Sequence, residues 1–597
     1  MNLKLYKGLT LDYSRDSLMT DFSLTLLRDY YMLPTESSPQ ESFARAALCF
    51  SAGDMEFAQR IYDYASKKWF MFASPVLSNS VLPGEKMRGL PISCFLSWVP
   101  DTLPGLINHT SELRWLSVLG GGVGGHLSSI RAVSDKAPGV IPYVKTIDSD
   151  MNFFRQGAVR RGAYAAYLDI SHPDLVEFLN MRVPTGGDAS RKAFTIHNAI
   201  NITDKFMDAV MNNERWHLTD PNDGSIRESH WARELWQRIL ETRFRTGEPY
   251  ICYTDEANRR LPQNLKDMGL KINGSNLCAE IMLPTSDDRT AVCCLSSLNL
   301  EYYDDWKDTS LVADCVRLLD NVLQFFIDNA PDTISKARNA AIRERAIGLG
   351  TMGFHSYLQR KGFAFEGIYA KGVNLKIFEN IKAQAVVASQ QLAVERGEYP
   401  DGIGTGMRNS HLMAIAPNAN NSIMLNTSPS IEPLKANAYT HRTRAGSFLV
   451  KNVYLEQILE DMGMNTSEVW TNIITNEGSI QHLDFLDDKI KKVFKTALEL
   501  DQRWIIDLAR DRQQFICQGQ SVNLFFPAGS EKSYVNSIHL RAFSREGTGV
   551  PLKSLYYLRS TAGATAGKIS GKDDVKKLDE QLKTKKIDDG ECIACSG

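Results

Sequence analysis

The sequence predicts a large α/β protein with a helical start and a polar end. From residue 74 to about residue 558, short strand-like runs alternate with amphipathic helical segments, which is the pattern of α/β architectures. Residues 17–72 instead show helical periodicity, and after Tyr557 the composition shifts to Gly, Ala, Thr and Lys. We therefore expect three regions: a helical region over 1–73, an α/β region over 74–560 and a flexible tail over 561–597.

The individual elements follow from local spacing. Asp54 stands where it can cap a helix. The apolar residues after it recur at i, i+3, i+4 and i+7, as on one face of a helix; they are Ala58, Ile61, Tyr62, Ala65 and Trp69. Residues 194–200 read as a strand, and the chain should turn into a helix near Thr203.

Composition excludes several classes of protein. A hydrophobic content of 43% in 597 residues is ordinary for a globular protein with a large core. A net charge of −2 argues against a broad basic surface for nucleic acid. No run approaches the ~18 apolar residues of a membrane span, and the N-terminus lacks a signal-peptide core. We expect a cytoplasmic protein that binds neither membrane nor nucleic acid.

One decapeptide, residues 275–284, has the composition of a reaction centre. Asn276, Cys278 and Glu280 occupy alternate positions among small or apolar residues, so in an extended segment their side chains would share one face. There one group could remove a proton while another exchanges a hydrogen with the same substrate. A buried structural cysteine is the alternative interpretation of Cys278 alone.

Two further motifs lie near the C-terminus. Tyr556 and Tyr557 are adjacent redox-capable phenols, although paired tyrosines often simply pack. Cys592 and Cys595 form a dithiol at the very end of the chain. About 35 residues separate the two motifs. A flexible coil of that length spans on the order of 30 Å, enough to carry the dithiol into a pocket and back to solvent.

Together these motifs resemble the large, catalytic subunit of class I ribonucleotide reductase, over residues from about 12 to the last cysteine. The resemblance implies a ten-stranded α/β barrel with a central finger loop, preceded by a small helical region and followed by a flexible tail. It implies that Cys278 becomes a thiyl radical that removes the ribose 3′ hydrogen. Glu280 would take the 3′-hydroxyl proton, and Asn276 would hold the hydroxyl network.

The same resemblance assigns the other redox residues. Cys94 and Cys293 match the family's reducing pair, with the neighbouring Cys294 as the alternative to Cys293. Tyr556 and Tyr557 match the stacked pair that carries the radical from a small subunit. Cys592 and Cys595 would reduce the pocket disulfide again, and thioredoxin or glutaredoxin would in turn reduce them.

Substrate and effector contacts are also implied. Residues 416–423 look like the loop that holds the substrate diphosphate, a polar turn feeding a helix, although Asn418 and Ala419 replace the Ser-Glu of some relatives. An Asn-rich surface turn is the alternative. The substrate residues carried over are Ser74, Ser93, Asn420, Asn421 and Ser422; the effector residues are Asp101, Arg131, Gln156 and Arg160.

The resemblance implies several partners and no covalently bound cofactor or metal. These partners are ribonucleoside diphosphates, a radical-generating small subunit, the effectors ATP, dATP, dTTP and dGTP, and a second copy of the chain in an effector-dependent homodimer. The helical region begins near residue 17, so we expect this chain to lack the nucleotide-sensing cone that precedes it in many relatives. Gly120–Gly125 satisfies G-x-G-x-x-G, but it follows a helical segment, so we predict close backbone packing rather than a dinucleotide site.

Two rival functions are open at this point. One is an adenosylcobalamin-dependent reductase of the same fold, which the tyrosine pair disfavours because a radical made beside the substrate needs no relay. The other is a non-catalytic zinc-binding module around Cys592 and Cys595, which would need two further ligands.

Overall fold

The computed structural model describes residues 3–82, 84–154, 162–443 and 446–561. The strands are β1 (Leu3–Tyr6), β2 (Leu9–Asp12), β3 (Phe70–Phe72), β4 (Cys94–Trp98), β5 (Gly122–His126), β6 (Ala163–Asp169), β7 (His197–Ile202), β8 (Arg215–Thr219), β9 (Ile226–Trp231), β10 (Tyr250–Tyr253), β11 (Ala291–Asn299), β12 (Ile347–Met352), β13 (Ala438–Thr443), β14 (Gly446–Lys451), β15 (Leu524–Phe526), β16 (Ser554–Leu555) and β17 (Leu558–Ser560).

The α-helices alternate with these strands along much of the chain. They are α1 (Asp21–Tyr30), α2 (Pro39–Cys49), α3 (Met55–Ser66), α4 (Ser74–Asn79), α5 (Leu103–Val118), α6 (Val140–Phe153), α7 (Leu175–Asn180), α8 (Asp204–Asn212), α9 (Ala232–Thr246), α10 (Thr254–Arg259), α11 (Gln263–Asp267), α12 (Tyr303–Trp306), α13 (Leu311–Asn329), α14 (Ser335–Glu344), α15 (Phe354–Arg360), α16 (Ile368–Arg396), α17 (Ala419–Leu425), α18 (Val453–Asp461), α19 (Ser467–Thr475), α20 (Asp488–Val493), α21 (Gln502–Gln513) and α22 (Lys532–Phe543). No helix among the described residues is long and apolar enough to span a bilayer.

The sheet is built from two parallel halves. In the first half, β4, β5, β6, β7 and β10 are parallel neighbours in that order. In the second half, β12 lies parallel to β11. Isolated parallel bridges pair Leu349 of β12 with Met413, and Ile415 with Gln520, and so extend this half beyond β12. The halves meet antiparallel where β11 pairs with β4 and where β16 pairs with β10. The predicted α/β barrel is confirmed.

The N-terminal helices form as the spacing predicts, except that α3 ends at Ser66 and leaves the predicted Trp69 outside the helix. Asp54 Oδ1 accepts a hydrogen bond of 2.9 Å from the N–H of Phe57, and the apolar face of α3 is buried. The hairpin of β1 and β2 was not predicted. After α3, strand β3 pairs antiparallel with β11, so residues 70–72 already belong to the sheet of the barrel.

Two other elements differ from the expectation. Strand β7 begins at His197, three residues later than predicted, while Thr203 caps α8 as expected. Residues 438–494, which include β13, β14 and α18–α20, pack around a small core of their own. The sequence holds no signal that separates this unit from the barrel, because its strands and helices continue the same alternation.

A finger loop, residues 273–285, passes through the barrel between α11 and β11. The glycine run lies in β5 beside it, and a Cβ on Gly124 would stand 1.8 Å from the carbonyl oxygen of Ser275. Tyr167 on β6 donates a 2.7 Å hydrogen bond to the carbonyl of Asn276. The glycine run therefore serves close backbone packing, as predicted.

We expect Gly124→Ala to displace the finger and to lower the free energy of unfolding by more than the about 1–3 kcal/mol typical of overpacking, because the clash is with backbone. Gly372→Ala is the matched control. Gly372 lies inside α16 with no atom near its Cβ position, so alanine should be neutral or stabilise by about 0.5–1 kcal/mol. Urea denaturation measures both, and equal stability of the two variants would contradict the packing described.

Candidate active site

The finger tip is a tight turn rather than the extended segment expected from the sequence. Ala279 has a φ of 63°, in the left-handed region. Asn276 Oδ1 accepts hydrogen bonds from the N–H groups of Glu280 (3.0 Å) and Ile281 (3.1 Å). The side chains of Asn276, Cys278 and Glu280 are buried, and the turn rather than strand alternation determines their arrangement.

Two neighbouring segments, residues 519–521 and strand β16, hold the tip by its carbonyl groups. The Ser521 hydroxyl donates to the carbonyl of Cys278, and the Ser554 hydroxyl donates to the carbonyl of Ala279, each at 2.6 Å. The N–H of Gly519 donates to the carbonyl of Glu280 at 2.7 Å. Buried backbone acceptors are therefore paired on three successive residues of the turn.

A thiol, a carboxylate and an amide meet beside the tip. Asn276 Nδ2 lies 3.6 Å from Cys94 Sγ, and Cys94 Sγ lies 4.0 Å from Glu280 Oε1. The Ser521 hydroxyl donates to Glu280 Oε2 at 3.2 Å. The structure thus brings together three of the predicted site residues, and it adds Ser521, which the sequence analysis missed.

Strand register distinguishes Cys293 from Cys294. Cys293 stands directly opposite Cys94 in the antiparallel pair of β11 and β4, so the two side chains share one face and Cys294 points to the other. Gln518 Nε2 donates to Cys293 Sγ at 3.4 Å. Burial raises the pKa of the Cys293 thiol well above its usual value, although the hydrogen bond from Gln518 acts to lower it. Cys293 is therefore a protonated thiol at neutral pH.

The tyrosine pair reaches the finger tip. The Tyr556 hydroxyl lies 3.6 Å from Cys278 Sγ. The rings of Tyr556 and Tyr557 have centroids 4.4 Å apart and are tilted by 55° rather than stacked. Tyr250, on β10, packs against both rings at 4.8 and 5.0 Å, and burial raises its pKa well above its usual value. No motif marked Tyr250, because its position depends on the pairing of β10 with β16.

The predicted phosphate loop feeds a helix as expected, since α17 begins at Ala419. Asn421 Nδ2 donates to the carbonyl of Phe72 at 3.1 Å, and the Ser422 hydroxyl donates to the carbonyl of Ala419 at 2.8 Å. The Tyr31 hydroxyl, missed in the sequence, contacts two predicted residues, Ser74 Oγ at 2.9 Å and Asn420 Nδ2 at 3.4 Å.

Ser93 stands beside the thiol pair, with its hydroxyl 3.9 Å from Cys94 Sγ. A cavity of about 900 Å³ extends from the tyrosine pair past α17 to the unit formed by residues 438–494. Its lining includes Ser422, Asn523, Tyr556 and Tyr557.

The remaining predicted residues divide into two groups. Arg131 Nε and Asp101 Oδ2 form an ion pair at 2.7 Å near the ends of β4 and β5, so the structure brings these two effector candidates together. Gln156, Arg160, Cys592 and Cys595 lie outside the described residues. Within the described part of the chain, no group of three His, Cys, Asp or Glu side chains could hold a metal ion.

Comparisons with known proteins agree over nearly the whole chain. The family model described as ribonucleotide reductase, barrel domain, matches residues 92–402 and 401–558, and the all-alpha domain model matches 17–85. A putative ribonucleoside-diphosphate reductase large subunit of Frog virus 3 is 52% identical and covers 92% of this chain and 94% of its own. The large subunit of Invertebrate iridescent virus 3 is 43% identical over 94% of this chain and 97% of its own.

One solved structure has the same fold. The class Id ribonucleotide reductase alpha subunit of Actinobacillus ureae superposes with a TM-score of 0.78 and is 32% identical. The match covers 91% of this chain and 97% of that one.

We expect mild oxidation to link Cys94 to Cys293. Residues directly opposite in an antiparallel pair have Cα atoms about 4.5–5.5 Å apart, within the range that a disulfide spans. Peptide mapping under non-reducing conditions should find this link in the wild-type chain and in Cys294→Ser. It should be lost in Cys293→Ser. A dominant link between Cys94 and Cys294 would contradict the register.

Proposed function

The chain belongs to the ribonucleotide reductase large subunits, and from that premise we propose how its residues divide the work of a ribonucleoside-diphosphate reductase. The enzyme converts ribonucleotides to 2′-deoxyribonucleotides. The observation that carries the assignment of roles is the 3.6 Å contact between the Tyr556 hydroxyl and Cys278 Sγ, beside the cluster of Cys94, Asn276 and Glu280.

Cys278 begins and ends the chemistry. As a thiyl radical it takes the 3′ hydrogen of the ribose, and at the end of the cycle it returns a hydrogen to the same carbon. Glu280 accepts the 3′-hydroxyl proton, and Asn276 orients the hydroxyl groups. The turn that clamps Glu280 through the Asn276 side chain supports this division, because it fixes the carboxylate beside the thiols.

Cys94 and Cys293 supply the reducing equivalents. One thiol gives a proton to the departing 2′-hydroxyl, which leaves as water, and the pair gives two electrons as it becomes a disulfide. Burial supports this role, because the raised pKa keeps the Cys293 thiol protonated and able to donate hydrogen. Cys592 and Cys595 then reduce the disulfide by thiol–disulfide exchange, and thioredoxin or glutaredoxin reduces them in turn.

The radical comes from a separate small subunit, as in class I enzymes. We propose that it enters at Tyr557 and passes through Tyr556 to Cys278. The contacts between the two rings and between Tyr556 and the thiol support this order. The relative named as a class Id alpha subunit disfavours the adenosylcobalamin-dependent alternative.

We propose that ribonucleoside diphosphates bind between the finger tip and α17. The predicted contacts are Ser74, Ser93, Asn420, Asn421 and Ser422. The Tyr31 hydroxyl supports this site, because it joins Ser74 to Asn420 across two separate elements. It preorganises groups that are far apart in the sequence.

We further propose that ATP, dATP, dTTP and dGTP act as effectors at Asp101, Arg131, Gln156 and Arg160, and that two copies of the chain associate there. An exposed apolar stripe on α5 next to that site supports the homodimer. Leu103 is 72% exposed, Ile107 56% and Trp115 46%. Such a row of apolar side chains at helical spacing is typical of a helix that packs against a partner.

We propose the expected division into three regions: a mainly helical region over 1–73 whose last strand, β3, joins the sheet of the barrel, the catalytic barrel over 74–560 and a redox tail over 561–597. We propose a cytoplasmic location, where thioredoxin and glutaredoxin keep thiols reduced.

Reduction of cytidine diphosphate by the chain together with a radical-bearing small subunit tests the function. Cys278→Ser should retain less than a tenth of the turnover, because oxygen in place of sulfur cannot form a comparable hydrogen-abstracting radical. Tyr556→Phe should be equally inactive while binding substrate normally. Cys49→Ser, a half-buried cysteine outside the site, is the control and should stay active. An active Cys278→Ser enzyme, or activity with adenosylcobalamin alone, would refute the assignment.

The tail has its own test. The double variant Cys592→Ser, Cys595→Ser should lose repeated turnover with thioredoxin or glutaredoxin but keep a single burst from the prereduced pocket pair. A small dithiol that diffuses into the pocket should restore part of the activity. Cys94→Ser should not be rescued in this way, because its thiol takes part in the reduction itself. Normal turnover of the double variant with the protein reductant would make the terminal dithiol a bystander.

A further inference from the structure

The phenol end of Tyr557 lies against a histidine that no sequence motif marked. The Tyr557 oxygen is 3.3 Å from Nδ1 of His197, the first residue of β7, and the two rings meet edge to face with centroids 5.9 Å apart. His197 also stacks on Tyr250, at 5.8 Å. The imidazole therefore contacts the outer of the two relay tyrosines on the oxygen where its chemistry occurs.

A buried carboxylate fixes which nitrogen of His197 carries hydrogen. Glu248 is 1% exposed, and its Oε1 lies 2.6 Å from the same Nδ1. Its Oε2 lies 3.1 Å from Arg182 Nε and 3.2 Å from the N–H of Asn198. Burial alone would raise the pKa of Glu248, but Arg182, His197 and that N–H together hold it below its usual value.

An ionised carboxylate can only accept hydrogen bonds, so Nδ1 of His197 must be the donor to Glu248. The same N–H also donates a second, longer hydrogen bond to the Tyr557 oxygen, with the nitrogen and oxygen 3.3 Å apart. The phenol accepts from His197, and its own proton is directed elsewhere. Because Nδ1 already bears hydrogen, the imidazole is not a base for Tyr557.

Three other side chains contact the ring of Tyr557. The guanidinium carbon of Arg559 stands 4.1 Å from the ring centroid, Tyr556 packs at 4.4 Å and Tyr250 at 5.0 Å. These contacts act on the ring face and edge, whereas His197 acts on the oxygen. A relay that moves an electron and a proton through that oxygen depends on its direction as well as its distance.

We propose that His197, held as the Nδ1–H tautomer by Glu248, is a positioning residue that orients the Tyr557 phenol for radical transfer. The proposal rests on the relay proposed above. When the small subunit's radical takes one electron from Tyr557, the phenolic proton leaves to solvent on the side of the cavity that Tyr557 lines. Tyr556 then gives the Tyr557 oxygen one electron and one proton. His197 neither gains nor loses a proton in these steps.

Kinetics of two substitutions test this role. His197→Phe keeps the ring contacts but removes the donor, and we expect kcat for cytidine diphosphate reduction to fall at least tenfold with KM within twofold. His197→Asn keeps a shorter N–H donor and should recover part of the loss. His217→Phe, on the exposed hairpin of β8 and β9, is the matched control and should retain wild-type turnover.

A spectroscopic measurement separates positioning from a general structural effect. With 3-aminotyrosine at position 557, the trapped radical should show a coupled exchangeable deuteron from His197 in D₂O by electron–nuclear double resonance. That coupling should vanish in His197→Phe, while the thermal unfolding midpoint stays close to that of the wild-type chain.

His197→Phe with wild-type kcat, or an unchanged deuteron coupling, would overturn the proposal. Loss of turnover together with a lowered unfolding midpoint and no rescue by His197→Asn would also overturn it, in favour of a packing role. An active Tyr557→Phe variant would instead refute the relay, and with it the proposed function on which the role of His197 rests. An inactive Tyr557→Phe beside an active His197→Phe would remove only the role of His197.

Discussion

The structure depends on one constraint: a loop of irregular backbone crosses the middle of a barrel, where water cannot satisfy its polar groups. Each unpaired backbone group there would cost about 1–3 kcal/mol. Ser521, Ser554 and Gly519 meet three successive carbonyl groups of the tip, and the Asn276 side chain meets two N–H groups from within the turn. The same contacts that satisfy the backbone hold Cys278 and Glu280 in place, so stability and the proposed catalytic geometry share one set of hydrogen bonds.

Burial also determines the protonation of the site. Desolvation raises the pKa of Cys293 and Tyr250, which keeps both groups neutral. The pKa of Glu248 is instead lowered, because its carboxylate contacts Arg182, His197 and the N–H of Asn198. The barrel therefore holds neutral hydrogen donors near the thiols of Cys94 and Cys293, and a charge-compensated carboxylate, Glu248, beside Tyr557.

The sequence predicted the parts of this site that lie within short motifs. The motif of Asn276, Cys278 and Glu280 is recognisable in the sequence, but its alternation predicts an extended segment, whereas the structure has a tight turn with a left-handed residue at Ala279. Periodicity predicted α3 and its cap because those interactions are local.

Residues that depend on long-range pairing could not be found in the same way. The choice between Cys293 and Cys294 needed the register of β11 against β4. Tyr31, Tyr250 and His197 reach the site from elements that no spacing rule connects to it. Their positions follow from how separate strands and helices pack, and one sequence read without relatives holds no direct signal for that.

The pairing of β3 with β11 ties the N-terminal helical region to the sheet of the barrel. At Ser296–Leu298, strand β11 has β12 on one side and β3 on the other. A chain truncated before residue 74 would lack that second neighbour and leave a row of backbone donors and acceptors uncovered along β11, an edge able to template pairing between molecules. The N-terminal region is therefore needed by the barrel, because β3 at its end covers an edge of β11 that could otherwise pair with another molecule.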